Sequence, residues 1–384
     1  MHNNRESAII VFSMSRNDDD SPRSRVRAAI EHRQPQRVPF SWGLDVTPEM
    51  HAVMANYSLS RGIDWQNVHD EVEDILTITP DYLGRTLAHT TDIWGIGRRT
   101  VHYQGGSYDE FVNMPLAAAR TVADIERHRW PSADQFDFSG LCGKVLAQDP
   151  EQRKAHRADI LCSGNPLEIY TWMTGLEQMM LNLLLSPEVV HAAMRRITDF
   201  FLDMMQRTAD AVADLIDIFY FADDLGSQQS LLFSKQTYRE LIKPYHAELC
   251  TRSKALVPNS RTMFHTDGSV YDLLPELIEA GVQILEAVQT DAAKMEPSRL
   301  KRDFGSQLAF HGAISVQQLL PRATAEQVKT ECAMLIDSFG AGGGYIAAPS
   351  HCIQYGTPPE NVFAMLEAVV GEAEFQELCR RFPA

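Results

Sequence analysis

Two short segments in the last third of the chain carry side chains that could hold a metal ion. His265 and Asp267 are separated by one residue, and His351 is followed directly by Cys352. Imidazole, carboxylate and thiolate groups are all zinc ligands, and three protein ligands beside an open position are typical of a catalytic zinc site. We therefore predict that His265, Asp267 and Cys352 bind zinc, with His351 as the alternative to Cys352. Glu286 would be a further ligand or would orient a ligand.

The same residues allow a site without metal, in which His265 and Asp267 bond to each other and to a substrate. The adjacent Asp223 and Asp224 follow an apolar segment, and neighbouring residues on a strand point to opposite faces. One of them could therefore act as an acid or base while the other caps the turn. His311 precedes a glycine and is either catalytic or structural. The predicted catalytic residues are Asp223, Asp224, Glu286, His311 and His351, and the predicted substrate-binding residues are Trp42, Asp45, Asn165 and Gln289.

Most of these residues lie at the end of a short apolar segment that reads as a buried strand. Six such segments alternate with helical patterns, at 159–165, 216–222, 262–268, 282–288, 308–312 and 345–348. Continuously apolar strands are buried on both faces, which is typical of a parallel sheet. A first strand near Phe40 and one more from the first third would make eight, which predicts an α/β fold with a single (β/α)8 TIM barrel. A doubly wound open sheet is the alternative, but no G-x-G-x-x-G motif joins a strand to a helix.

The predicted domain organisation is one flexible tail and one barrel. Residues 1–22 would form the tail, and residues 23–384 the barrel domain. The apolar segment 8–14 is followed by Asp, Arg, Ser and Pro, which favours a disordered leader over a signal peptide. Helices and a hairpin starting near 92 would form an N-terminal elaboration of the barrel.

Composition narrows the classes of partner. The formal net charge of −16 argues against nucleic acid or an anionic membrane. No apolar run reaches the roughly 18 residues that a membrane-spanning helix needs. The six cysteines are scattered without a CxxC motif, which is typical of a reduced, cytoplasmic protein. We therefore expect a cytoplasmic protein that acts on a small molecule.

Several motifs together resemble the uroporphyrinogen decarboxylase superfamily. They are Phe-Ala-Asp-Asp-Leu-Gly at 221–226, Tyr-Arg-Glu-Leu-Ile-Lys-Pro-Tyr-His at 238–246, His-Thr-Asp-Gly at 265–268, Gly-Gly-Tyr-Ile-Ala-Ala-Pro-Ser-His at 343–351 and Thr-Pro-Pro-Glu-Asn at 357–361. The resemblance extends over about 23–370. It implies a (β/α)8 barrel with a deep site at the carboxyl ends of the strands, and it makes a homodimer plausible.

One departure from the superfamily pattern argues against haem-pathway decarboxylation. True uroporphyrinogen decarboxylases carry a Met-Arg-Gln-Ala-Gly-Arg segment after the first strand, which binds the acidic side chains of the porphyrinogen. Here residues 40–45 read Phe-Ser-Trp-Gly-Leu-Asp, without an arginine. A pocket for several carboxylates needs such cations.

The second branch of the superfamily, which this chain also resembles, comprises cobalamin:thiol methyltransferases. These hold zinc with a His-x-Cys motif and a later cysteine, where this chain has His265-Thr-Asp267 and His351-Cys352. The resemblance implies a zinc-assisted methyltransferase-like enzyme that takes a methyl group from a small methylated compound or from a methyl-corrinoid on a partner protein. A carboxylate is a harder ligand than a thiolate, so the site would be less specific for zinc. The sequence therefore leaves open whether the site activates a thiol.

Two alternatives remain on the sequence alone. One is a metal-independent decarboxylase or lyase for a small carboxylic acid, in which Asp223 or Asp224 stabilises the developing charge and His351 donates a proton. The other is a corrinoid-binding module without turnover.

Overall fold

A curled, seven-stranded parallel sheet forms the centre of the fold. The computed structural model describes residues 21–84, 91–103, 106–159 and 165–384. In chain order, the strands in these ranges are β1 (Ile75–Ile78), β2 (Asp81–Tyr82), β3 (Gly97–Tyr103), β4 (Gly106–Asn113), β5 (Phe136–Asp137), β6 (Ala155–Asp159), β7 (Ile218–Ala222), β8 (Arg261–His265), β9 (Ile284–Val288), β10 (Ala309–Ile314) and β11 (Tyr345–Pro349). The central sheet has the spatial order β1-β6-β7-β8-β9-β10-β11, and all its neighbouring pairs are parallel.

Helices connect the strands and cover the outside of the sheet. They are α1 (Pro22–Ile30), α2 (Pro48–Leu59), α3 (Trp65–Val72), α4 (Val122–Glu126), α5 (Leu141–Gln148), α6 (Pro166–Thr174), α7 (Leu176–Leu185), α8 (Pro187–Val212), α9 (Lys235–Thr237), α10 (Lys243–Leu256), α11 (Leu274–Ala280), α12 (Pro297–Phe304), α13 (Leu319–Arg322), α14 (Ala325–Gly340), α15 (Pro359–Val370) and α16 (Glu372–Arg381). In the described ranges, no helix combines the length and the apolar character that crossing a bilayer requires.

The burial of the strands confirms the prediction of an α/β fold with a parallel sheet. Every residue of β7, β9, β10 and β11 is buried, because helices cover one face and the inside of the curled sheet covers the other. β6 begins at Ala155, before the start of the predicted segment 159–165, and residues 160–164 of that segment lie outside the described residues. Sequence pattern does not indicate this earlier start, because the strand contains His156 and Arg157, two polar residues that are nevertheless buried.

The predicted first strand is an isolated bridge in the described residues. Phe40 pairs in parallel with Ala347 of β11, and on its other side its carbonyl accepts a 3.0 Å hydrogen bond from the N–H of Asp74. Beyond this point the Glu73 carboxylate, rather than a backbone carbonyl, accepts the N–H of Trp42 at 2.6 Å. A side chain therefore replaces part of the backbone hydrogen-bond pattern between strands. The described central sheet has seven regular strands.

The first third of the chain adds smaller elements to this sheet. β3 and β4 form an antiparallel hairpin, as predicted for this region, and β2 pairs antiparallel with β5. Residues 85–90 and 104–105 in this region fall outside the described residues. Residues 1–20 of the predicted tail also lie outside them, and its last two residues form the N-cap and the first position of α1.

Candidate active site

Three side chains with metal-ligand chemistry meet beyond the carboxyl ends of β7 and β8. Asp224 follows β7, His265 ends β8, and Asp267 comes two residues later. Nε2 of His265 lies 3.7 Å from Oδ1 of Asp224 and 3.8 Å from Oδ1 of Asp267. Two ligands of one tetrahedral zinc ion are roughly 3.4 Å apart, so small movements would bring these atoms to a common ion. We call Asp224, His265 and Asp267 the rim cluster.

Glu286 on β9 fixes the orientation of the histidine in the rim cluster. Its Oε2 lies 2.7 Å from Nδ1 of His265 and also accepts a 3.2 Å hydrogen bond from the hydroxyl of Tyr220. Glu286 is buried, so the bond is shielded from water. A carboxylate on the far nitrogen of a histidine is the usual partner of a metal-bound imidazole. The geometry therefore favours an orienting role for Glu286 over direct ligation.

The electrostatics of the rim cluster favour a bound cation. Burial opposes the charged form of His265, but Glu286, Asp267 and Asp224 outweigh it and raise its pKa to about 10. Burial also raises the pKa of Asp267, against the effect of His265, and nearby Asp224 raises it further. Oδ1 of Asp267 is buried, and no described residue forms a hydrogen bond with it. Three carboxylates around one imidazole, with one acceptor unpaired, suit a divalent metal. The residues present therefore fit a zinc ion.

Glu168, which no sequence pattern marks, lies beside this cluster in the first turn of α6. Burial raises its pKa to about 8, and the nearby carboxylates of Asp224 and Asp223 contribute to the rise. The side-chain amide of Asn165 donates a hydrogen bond to the Glu168 carboxyl group. Glu168 therefore carries a proton at neutral pH and has the properties of a general acid. Sequence pattern misses it because an acidic residue at a helix start usually only supports the helix.

The side chains of Asp223 and Asp224 point to different neighbours, that of Asp223 to the start of α6 and that of Asp224 to the rim cluster. The two oxygens of Asp223 accept the backbone N–H groups of Leu167 (2.9 Å) and Glu168 (2.8 Å), and Oδ2 also lies 2.7 Å from Nε2 of His246. Asp223 is fully buried and caps α6. It thereby holds Glu168 in place, while Asp224 belongs to the rim cluster.

His311 on β10 lies inside the curled sheet next to Glu286. Its Nδ1 is 3.8 Å from Oε1 of Glu286, and burial lowers the pKa of His311 to about 4. Neither ring nitrogen of His311, nor Oε1 of Glu286, has a hydrogen-bond partner in the described part of the chain. His311 is therefore uncharged at neutral pH, and it is fully buried.

His351 and Cys352 lie at the edge of the site. Nε2 of His351 is 3.9 Å from Oδ2 of Asp267, and its side chain is 38% exposed. Cys352 joins no cluster of potential ligands among the described residues. Burial and Asp45 raise the pKa of its thiol to about 11. The structure thus brings Asp224 to His265 and Asp267, and zinc binding by Cys352 stays a prediction.

A second cluster of potential ligands consists of Asp45, His51 and His69, which we call the N-terminal cluster. Oδ1 of Asp45 is 2.9 Å from Nε2 of His69 and 3.4 Å from Nε2 of His51. The indole of Trp42 stacks on His69 with 4.7 Å between ring centroids. Trp65 donates its Nε1–H to Nδ1 of His51 at 3.1 Å, so the proton of a neutral His51 lies on Nε2 and faces Asp45. These contacts favour a hydrogen-bonded network over a metal site.

Asn165 and Gln289, which are predicted to bind substrate, contact the residues that support the site. Asn165 caps α6 by position and bonds to Glu168. Gln289 is buried, and its Oε1 accepts the N–H of Gly268 at 3.1 Å and the side-chain amide of Gln228 at 2.8 Å. Gln289 therefore holds the loop that carries Asp267. Direct contact of either residue with a substrate stays a prediction.

Comparison with known proteins identifies the family. The family model for uroporphyrinogen decarboxylase matches residues 153–371. The chain is 26% identical over 262 residues to a methylated-thiol–coenzyme M methyltransferase of Methanosarcina mazei, a match covering 67% of this chain and 65% of that protein. It is 23% identical over 309 residues to a uroporphyrinogen decarboxylase of Coxiella burnetii, covering 77% and 74% of the two chains.

A solved structure shares the fold. A methyltransferase from Methanosarcina mazei superposes with a TM-score of 0.62 at 16% identity, over 92% of this chain and 99% of that one. The family model covers more than half of the chain and includes every residue of the rim cluster. The chain therefore belongs to the uroporphyrinogen decarboxylase family.

Proposed function

We propose that the chain is a zinc-assisted methyltransferase-like enzyme. It would transfer a methyl group from a small methylated compound, or from a methyl-corrinoid on a partner protein, to an acceptor. The observation that carries the proposal is the geometry of His265, whose Nδ1 is held by Glu286 at 2.7 Å while Nε2 faces two carboxylates. The similarity to a methylated-thiol–coenzyme M methyltransferase supports methyl transfer as the reaction class.

In this proposal Asp224, His265 and Asp267 hold the metal. A bound Zn²⁺ ion would supply Lewis-acid chemistry, which lowers the pKa of a thiol or polarises the group that carries the methyl. Glu286 keeps the imidazole in its binding orientation, and Tyr220 in turn donates a hydrogen bond to Glu286. The role of Glu286 is therefore positional.

Glu168 would donate a proton during the reaction. A methyl group that leaves oxygen, nitrogen or sulfur leaves negative charge on that atom, and a protonated carboxyl group can neutralise it. Glu168 has a pKa of about 8 and lies close enough to Asp224 for their charges to interact. His351, on the exposed side of Asp267, would complete the site toward solvent.

We also infer that the segment around Phe40 completes an eight-stranded (β/α)8 barrel. Its backbone bonds to β11 on one side and to Asp74, the residue before β1, on the other. The rim cluster would then lie at the carboxyl-terminal face of a closed barrel, where enzymes of this fold carry their active sites.

The test is a methyl-transfer assay on the purified protein with added zinc. Methylcobalamin and small methyl thioethers serve as donors, a small thiol serves as acceptor, and the methylated product is followed by NMR. We expect turnover that His265→Ala lowers by at least about 100-fold. His102→Ala, a change of an exposed histidine on β3, is the matched control and should retain activity.

Two outcomes would contradict the proposal. Release of carbon dioxide from a small carboxylic acid, without methyl transfer and without metal, would identify a decarboxylase or lyase. Tight binding of a corrinoid protein without turnover would identify a binding module.

A further inference from the structure

A buried arginine lacks partners for most of its hydrogen-bond donors. Arg157 on β6 is 9% exposed, and its Nη2 donates a 3.0 Å hydrogen bond to Oγ1 of Thr77. Its Nε and Nη1 atoms are buried and have no hydrogen-bond partner in the described part of the chain. The guanidinium lies 4.8 Å from the ring centroid of Tyr220. Since an unpaired buried charge is costly, Arg157 requires an explanation beyond packing.

Arg157 lies in the wall of a cavity of about 670 Å³, which Trp42, Gly43 and Lys154 also line. One wall of the cavity lies next to the inside of the sheet, because a Cβ atom on Gly43 would lie 3.5 Å from Cε1 of His311. His311 in turn neighbours Glu286, the residue that orients His265. Gly43 and His311 therefore lie between the cavity and the candidate active site.

Two carboxylates that interact electrostatically with Arg157, those of Glu73 and Glu286, form hydrogen bonds to other groups. Glu73 uses one oxygen for the N–H of Trp42 at 2.6 Å and the other for the N–H of Ile75 at 2.9 Å. Burial also raises the pKa of Glu73 to about 7, which weakens it as a counter-charge. Oε2 of Glu286 bonds to His265 and to Tyr220. No ion pair of Arg157 occurs within the described ranges, so an external anion would complete its charge pairing.

We propose that Arg157 binds the anionic end of the substrate, a carboxylate or sulfonate group, in this cavity. A guanidinium with unpaired N–H groups matches the oxygens of such an anion in charge and in geometry. Tyr220 connects the two ends of the site, because its ring contacts Arg157 and its hydroxyl contacts Glu286. The inference rests on the proposed function only in placing the other end of the substrate at the rim cluster.

A stability comparison separates binding from a structural role. Arg25 is similarly buried, at 8% exposure, but its Nη2 bonds to Oδ1 of Asp74 at 2.8 Å. Arg25→Met would leave the Asp74 carboxylate buried without this partner, so we expect a lower Tm. Arg157→Met would remove an incompletely paired cation, so we expect an unchanged or higher Tm. A fall in Tm as large as that of Arg25→Met would overturn the proposal.

Calorimetric titration of metal-free protein tests the binding itself. The probes are propionate, ethanesulfonate and the neutral propionamide, with wild type, Arg157→Met and Arg157→Lys. We expect saturable binding of an anion but not of propionamide, at least tenfold weaker in Arg157→Met and partly retained in Arg157→Lys. Tighter binding of propionate assigns a carboxylate, and tighter binding of ethanesulfonate a sulfonate.

Absence of anion binding in wild type, or equal binding in Arg157→Met, would overturn the proposal. Because the titration uses metal-free protein, its outcome is independent of the rim cluster. If no anion binds but a separate metal analysis finds zinc at the rim cluster, only the anion site is overturned and the proposed function stays intact. If an anion binds but the metal analysis finds no zinc, the anion site stays intact and the proposed function fails.

Discussion

The rim cluster and the N-terminal cluster contain the same kinds of ligand atom but differ in their surroundings. Each brings imidazole and carboxylate atoms within 4.8 Å of one another. The difference lies in the partner of the far nitrogen of one histidine. Nδ1 of His265 faces a carboxylate, so it donates its proton there and Nε2 is turned toward the cluster. Nδ1 of His51 accepts a hydrogen bond from Nε1–H of Trp65, so Nε2 of the neutral ring carries the proton instead. Ligand type and proximity alone therefore do not define a metal site.

Charge separates the two clusters further. The two carboxylates of the rim cluster and the neighbouring Glu286 surround His265, and one buried oxygen of Asp267 has no hydrogen-bond partner among the described residues. In the N-terminal cluster His69 lies between Asp45 and Asp70, at 2.9 and 3.2 Å, and the Asp45 side chain is 56% exposed. The acidic and basic groups of the N-terminal cluster thus neutralise one another. The rim cluster instead keeps an excess of negative charge, which a bound cation would neutralise.

The largest expected effect on zinc affinity comes from removing the histidine of the rim cluster, and a histidine of the N-terminal cluster serves as its control. His265→Ala should lower zinc affinity by at least about 100-fold, because it removes a ligand. His51→Ala should leave the affinity unchanged. Competition with a chromophoric chelator measures both. Equal losses of zinc affinity in the two variants would show that the two clusters do not differ in metal binding.

A smaller effect is expected from the carboxylate that orients His265. Glu286→Gln should lower zinc affinity by about 10- to 100-fold, the usual effect of losing such a partner. Glu276→Gln is the matched control, since Glu276 is also ion-paired but binds Arg239 and Lys243 away from the site. Unchanged affinity in Glu286→Gln would show that the orientation of His265 does not depend on this charge.

Trp65→Phe tests the reason why the N-terminal cluster does not bind metal. Without the indole donor, Nδ1 of His51 could carry the proton and Nε2 could become a ligand. We expect a second, weaker zinc ion to bind in calorimetric titration of the variant but not of wild type. The lost hydrogen bond should cost about 1 kcal/mol of stability. A single binding event in both proteins would refute this explanation.

The smallest expected effect is a pH dependence of stability from His69. Burial opposes its charged form, but Asp45 and Asp70 outweigh burial and raise its pKa. A raised folded-state pKa stabilises the fold fully below the unfolded value of about 6.5, and this contribution is lost as the pH rises through the folded value. The Tm of wild type should therefore fall more steeply than that of His69→Phe as the pH rises above about 6.5. Parallel Tm curves would contradict this assignment.

The central strands were predictable because their signal is local. The segments 216–222, 282–288 and 345–348 are mostly apolar, and β7, β9 and β11 lie within or over them. The start of β6 was not predictable, because its two buried polar residues depend on partners elsewhere in the fold, such as Asp149 and Leu215 for His156. The strand near Phe40 has a weaker signal, because a side chain, that of Glu73, replaces a backbone acceptor there.

The site was predictable only in part, for a related reason. Strand ends indicated Asp224, His265, Asp267 and Glu286, since parallel strands bring their carboxyl ends to one edge. Glu168 and Arg157 carry no local pattern. Their properties come from burial and from neighbours on other strands, and neither burial nor distant neighbours can be read from spacing along the chain.

The metal content of the purified, tag-free chain tests the central claim most directly. Mass spectrometry of the metals in wild type should find about one zinc ion per chain, as for a single catalytic site. The ion should be lost in His265→Ala/Asp267→Ala and retained in Asp45→Ala/His51→Ala. A wild type without metal even after added zinc, or zinc that persists in the first double variant, would contradict the assignment of the rim cluster as a metal site.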